Sequence, residues 1–292
     1  MVRGILASAV LFVWPLAADA QFGGTATAFY SQGFSEKSIR SEDQETCSDS
    51  PGDEFCSNSF GYGGEVSLHY DPEGLPLFFN LDGQHWFMDE LGDLDAEDSE
   101  SSDYTTLTLH TGYHAPRRDF GFFYMLGSDG GSQGSPSRYA KFHSYGAEVT
   151  LGQYAVLVGF LESKEDSADL AGETIDQMRY ARIFRNFDLF GGTLGAGVAG
   201  GHGDQTFGSG ETMFRWFQLS ADFRRSIFES RFAYYIGYTG DLVDNYSDES
   251  GRETYGTHAL SFGVSLSFGS EKSNTFETPN LWAPVTWAAE AN

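Results

Sequence analysis

The chain has 292 residues, of which 42 are acidic and 17 basic, a formal net charge of −25. That balance excludes nucleic acid as a partner and anionic headgroups as a general docking surface, because like charge repels both. With 36 Gly, 26 Phe and 15 Tyr against only 8 Pro, composition favours strands joined by glycine turns, and one large all-β domain over two small ones.

Residues 1–20 read as a secretory signal: Arg3, an apolar core from Ile5 to Leu16, and the small-residue cleavage sequence Ala18-Asp19-Ala20. That core is too short to span a bilayer, and no later window approaches the roughly 20 apolar residues of a spanning helix. The mature chain is expected to begin at Gln21. Cys47 and Cys56 follow in the polar, turn-rich segment "CSDSPGDEFC". In an exported chain one disulfide closing a small loop is expected there, with metal binding as the rival, although no second Cys pair or nearby His completes a zinc set.

Period-2 alternation then recurs in twelve runs, at 22–30, 60–70, 75–87, 104–113, 120–127, 139–151, 154–163, 174–184, 188–200, 212–223, 226–238 and 255–268. Fourteen strands is the alternative count. The connections alternate in length. Those at 31–59, 88–103, 128–138, 164–173, 201–211 and 239–254 are long; those at 71–74, 114–119, 152–153, 185–187 and near 225 are short. A sandwich has no reason to sort loop length by parity, whereas an outer-membrane barrel has short periplasmic turns and longer external loops. The last run is the clearest: Leu260, Phe262, Val264, Leu266 and Phe268 share one face, and Ala259, Ser261, Gly263, Ser265 and Ser267 the other. Aromatics near the run ends, such as Trp86, Phe87, Tyr154 and Tyr255, suit the two interfacial girdles of a membrane barrel.

Through the signal sequence, the alternating strands, the loop parity and the segment "ALSFGVSLSF", the chain resembles bacterial outer-membrane β-barrels of the porin-like kind. The resemblance covers residues 22–268 as a pattern. It implies a transmembrane antiparallel up-and-down barrel of about 12 strands over 21–268, placed in a Gram-negative outer membrane. Residues 269–292 become a periplasmic tail, unfolded or folded back on the lumen mouth as a partial plug. The implied activity is passive diffusion of small solutes, with outer-membrane lipid and lipopolysaccharide as surroundings; oligomers are compatible with it.

Strand parity puts Glu65, Ser67 and His69 on the lumen face. A carboxylate, a hydroxyl and an imidazole are the parts of a nucleophilic site, so a barrel hydrolase acting on lipid or peptide is the second reading. Same-face neighbours stand roughly 7 Å apart, which obliges Ser67 and His69 to incline toward each other. The plainer account is a polar lumen whose side chains satisfy one another. For a channel, Glu65, Asn80, Asp82, Thr108 and His110 are expected to line the pore, with Arg179, Glu229 and Arg231 as charges on the wall, either a selectivity rung or a structural ladder of salt bridges. Gly191, Thr193, Gly195, Gly197, Ala199 and Gly201 share one face, expected to leave lumen volume open. Eight carboxylates crowd Asp89–Asp103; within them Asp93, Asp95 and Asp98 are candidate ligands for Ca²⁺ or Mg²⁺, an ion that could bridge to lipopolysaccharide phosphates. No other cofactor is expected. A third reading makes the acidic and cysteine loops a receptor or adhesin on a barrel stand.

Overall fold

The alternating runs become twelve antiparallel strands in the computed structural model, which describes residues 21–40, 56–91, 101–131, 139–163, 174–207, 210–228, 230–247, 251–269, 276 and 279–281. They are β1 (Gln21–Arg40), β2 (Cys56–Asp71), β3 (Leu77–Leu91), β4 (Ser101–Ala115), β5 (Arg118–Gly131), β6 (Tyr139–Leu151), β7 (Tyr154–Ser163), β8 (Thr174–Leu189), β9 (Gly192–Phe207), β10 (Gly210–Ser226), β11 (Phe232–Ser247) and β12 (Gly251–Gly269). Each strand pairs with its neighbours in sequence, and β1 pairs with β12 to close the barrel. The seam is continuous, from Gly23 opposite Gly269 to Arg40 opposite Arg252. Closure leaves no row of unpaired backbone groups, the condition for strands to cross lipid. The signal segment, Cys47, the side chain of Cys56, Asp93, Asp95 and Asp98 lie outside the described residues or side chains, and so do the disulfide and metal sites expected of them.

The outer face is apolar where parity predicts it. Leu107, Phe122, Leu126, Val158, Ile183, Val198, Leu219 and Phe262 are all large, exposed and outward. The inward partners on β12, Ser261 and Ser265, are buried and hydrogen-bond to Ser31 and Thr27 of β1. This inversion, grease outside and hydroxyls inside, is the reverse of a soluble barrel, and it makes the wall a lipid-facing surface of the outer-membrane type. Outward rings pair near the strand ends, as Tyr62 with Phe87 and Tyr70 with Phe79. At the turn end Arg185 lies 5.2 Å over Tyr154 and 4.4 Å over Phe187, holding cations against aromatics at headgroup depth.

Several strands run past their alternating core. β1 continues to Arg40 and β12 starts at Gly251, because backbone pairing goes on where both faces are polar and hydropathy has no period to show. The turn expected at 185–187 lies at Phe190–Gly191, and the one expected near 225 lies between Ser226 and Phe232. Both slipped tips carry a phenylalanine at positive φ, Phe190 at 50° and Phe228 at 49°. A side chain resists that backbone region, so nothing local in the sequence marks these turns.

Candidate functional site

Side chains from all round the wall meet in the lumen, which has two zones. In the loop-ward half Trp86, Met88, Tyr104, Phe142, Met178 and Phe214 are buried. Phe29 meets Trp86 edge-on at 5.1 Å, and Tyr104 stacks on Phe142 at 6.1 Å. This is a packed apolar layer. In the turn-ward half a cavity of about 810 Å³ opens among polar groups and extends to Ser230, Arg231 and Gly269 at the turn end.

Charge in this chamber is organised across the space as well as along the wall. Arg224 of β10 reaches Glu65 of β2 at 3.8 Å and Asp222 of its own strand at 3.5 Å. Since β11, β12 and β1 separate those two strands, the Arg224–Glu65 pair crosses the lumen. Gln84 donates to Glu65 at 3.4 Å, and Arg182 to the Ser220 hydroxyl at 3.4 Å. Arg182 also lies 4.8 Å over the Phe184 ring. Beside the chamber, the fully buried His110 stands between two carboxylates, Asp82 at 3.1 Å from Nε2 and Glu148 at 2.9 Å from Nδ1. Ring and carboxylates come from β3, β4 and β6, so the group ties non-adjacent strands together through the interior.

Beyond β12, the described residues 276 and 279–281 lie in the lumen. Gly269 leaves the strand at φ +74°, a conformation open to glycine and strained for other residues. Phe276 is buried and stacks on Phe78 at 5.6 Å. Higher up, the Asn280 carbonyl accepts from Gln218 Nε2 at 2.7 Å, and the Leu281 amide donates to the Tyr104 hydroxyl at 3.2 Å. Gln218 also donates to Asp241 at 2.9 Å, and Trp216 Nε1 donates to the same carboxylate oxygen at 2.8 Å. The buried Asp241 thus holds the amide that holds the tail. Of the region expected to form the tail, the described residues 276 and 279–281 lie inside the lumen, with Leu281 in the apolar layer beyond the mouth.

The structure turns Glu65, Asn80, Asp82, Thr108 and His110 inward, as parity requires. Arg179 differs: it is exposed on the outer face, 6.0 Å over the outward Phe160 ring, and Arg182 is the inward arginine of β8. Arg231 sits in the β10–β11 turn at the mouth of the chamber rather than on the wall. Glu229 lies outside the described residues. Glu65, Ser67 and His69 share the lumen face and line the chamber, and Glu65 contacts Gln84 and Arg224. The glycine face of β9 points inward yet leaves little space. A Cβ on Gly195 would come 2.9 Å from the Phe184 ring, one on Gly203 2.8 Å from the Phe214 ring, and one on Gly197 2.8 Å from the Ser220 hydroxyl. The stripe seats large side chains of β8 and β10. Sequence reading missed Glu148, Arg182, Asp222, Arg224 and Asp241; on β6, β10 and β11 parity alone could have found them, since each lies in phase with inward neighbours.

No family model matches the chain, and a search of curated proteins finds no match. Among solved structures it is similar to an outer membrane channel from Pseudomonas putida F1, at 14% identity and a TM-score of 0.49 over 84% of this chain and 95% of that one. It is also similar to the outer membrane protease OmpT from Escherichia coli, at 6% identity and a TM-score of 0.33 over 85% and 96% of the chains. A third similar structure is the outer membrane phospholipase A from Escherichia coli, at 13% identity and a TM-score of 0.37 over 86% and 91%. A channel and two enzymes stand side by side here, so function has to be argued from this chain's own lumen.

Proposed function

We propose that the protein is an outer-membrane channel for small polar solutes and that the structure is its closed state. The observation that carries this reading is the charged chamber of about 810 Å³ reaching the turn end, crossed by the Arg224–Glu65 pair and shut off by the apolar layer and the tail. A lumen filled only for stability would have no need of so large a polar space beneath a packed one. The carboxylates and guanidiniums of the chamber set which solutes enter, and the tail sets when. An enzyme reading draws less support, because Glu65 and His69 stand four residues apart on one strand, roughly 13 Å along it, too far for that carboxylate to orient that imidazole beside Ser67.

The test is planar-bilayer recording of the refolded full chain against a chain ending at Gly269. Brief, rare openings for the full chain and frequent or sustained ones for the shortened chain support the proposal. Absence of conductance from both overturns it. Hydrolysis of acyl or peptide substrates that disappears in Ser67→Ala and His69→Ala would move the assignment to the enzyme.

A further inference from the structure

The wall finishes almost flush at its turn end, with one exception. Neighbouring strands there outrun the last residue pair of their ladder by no more than three residues everywhere but between β7 and β8. β7 stops pairing at Ala155 opposite Phe184, whereas β8 goes on pairing with β9 to Leu189 opposite Gly192. The five residues 185–189 of β8 thus stand past their β7 neighbour. Arg185 Nη1 still donates to the Tyr154 hydroxyl at 3.3 Å, and residues 186–189 are exposed. Among the described residues, no backbone hydrogen bond other than those to β9 engages these last positions. A sheet edge left open in this way is a template for one more strand.

Depth and side chains say what kind of strand fits. The open edge lies past the belt where Arg185 covers the Tyr154 ring, and bare amides and carbonyls have no partner in hydrocarbon. In a barrel with short periplasmic turns it therefore faces the periplasm. Asn186 and Asp188 line the mouth of the chamber, while Phe187 and Leu189 alternate with them and are exposed on the other face. Phe190 at the tip is 78% exposed, and Phe228 at the tip of the next hairpin is 98% exposed, the two highest values among the large apolar side chains described. Both sit at positive φ, which strains a side chain. A strained phenylalanine in water helps neither stability nor solubility, so its placement points to a contact. Charge around the two tips runs against the chain's net −25: Arg185, Arg225 and Arg231 stand against Asp188 and Glu229, and Asp188 faces the lumen. A Cβ added to Gly191 would lie 3.9 Å from Arg225 Nε, which puts that guanidinium beside the β8–β9 tip.

We propose that the β8–β9 hairpin is the docking edge for a periplasmic protein, which adds an extended acidic segment as a further strand against residues 186–189. Alternate apolar side chains of that segment pack on Phe187 and Leu189, as cross-strand neighbours do, and Phe190 closes over its end. Arg185 and Arg225 select the acidic partner. A segment docked there stands at the mouth of the chamber, because Asn186 and Asp188 of the same edge line it. The docking does not depend on whether the lumen conducts.

Amide hydrogen exchange of the refolded full chain in lipid nanodiscs tests this, with a short synthetic peptide of alternating Glu and Val as the probe. The controls are a Lys–Val peptide of the same length and the Glu–Val peptide with every amide N-methylated. The Glu–Val peptide should slow exchange across 186–189 severalfold and bind at least about tenfold more tightly than the Lys–Val one, equivalent to about 1.4 kcal/mol. The N-methylated peptide, which cannot extend a ladder, should give no protection. Phe190→Gly should weaken binding severalfold, and the double variant Arg185→Glu, Arg225→Glu should turn the preference toward the Lys–Val peptide. Heat-modifiable gel migration checks folding; if the double variant does not fold, Phe190→Gly and Arg225→Glu carry the test, the latter expected to erase most of the preference. No protection by the Glu–Val peptide, or equal protection by either control, would overturn the assignment. So would exchange across 186–189 that is slow in nanodiscs without peptide and fast in detergent, which would make lipid the occupant, or slow exchange that appears only with dimers of this chain.

Discussion

Replacing Leu281 by Ala should release the tail. Leu281 and Phe276 are both buried, and together they supply about 3–6 kcal/mol of apolar burial. The hydrogen bonds from Gln218 to Asn280 and from Leu281 to Tyr104 add about 1–3 kcal/mol. Truncating Leu281 removes about 2–3 kcal/mol, equivalent to roughly 30- to 160-fold in the docked-to-released ratio. The assay is amide hydrogen exchange with peptide resolution across 276–281, run beside bilayer recording of the same preparation. Exchange in the tail should accelerate toward that of a free chain while exchange in β4 and β10 stays slow, and channel openings should become more frequent. Tail exchange as slow as in the wild type would refute the reasoning, because burial at Leu281 would then not be what holds the segment.

Gly269→Ala should release the tail from its root, since the left-handed φ and the Phe22 carbonyl both oppose a Cβ there; unchanged tail protection would count against it. Glu65→Lys should repel Arg224 and shift ion selectivity toward anions by reversal potential, while Glu65→Gln should cost the fold no more than about 1 kcal/mol, the pair being partly exposed. Gly127→Ala would drive a Cβ into the Phe142 ring and should lower unfolding stability by about 1–3 kcal/mol in urea titration in lipid vesicles. Phe190→Gly should relieve its positive φ and raise that stability by about 1 kcal/mol, a gain checked by the same titration.

How much of this was legible in the sequence depends on which face carries the signal. The outer face of β12 from Leu260 to Phe268 is uniformly apolar and its inner face from Ala259 to Ser267 uniformly small and mostly polar, so parity there is unambiguous and the whole barrel can be counted from it. On β8 the inner face carries Met178, Tyr180 and Phe184 and the outer face Arg179, Ala181 and Ile183. Hydropathy points the wrong way, because the loop-ward lumen is packed with apolar groups and the headgroup level of the wall is not. A one-residue error of phase exchanges the two faces, which is why Arg179 reads as a pore residue and proves to be an outward one. The Arg224–Glu65 contact spans 159 positions of sequence between strands that are not neighbours; no local pattern encodes it. The tail lacks alternation altogether, so its path through the lumen is set by contacts that exist only once the wall is built.

Those contacts also suggest an expected order of events during biogenesis. Phe78, Tyr104 and Gln218 belong to β3, β4 and β10, and they surround the tail only after β1 has zipped to β12. A tail that follows directly on the closing strand is therefore expected to seat only after the seam has formed. Protection of the Leu281 amide would serve as a built-in clock for completion of the ring, reporting seam closure from inside a wall that outside probes see as finished or not.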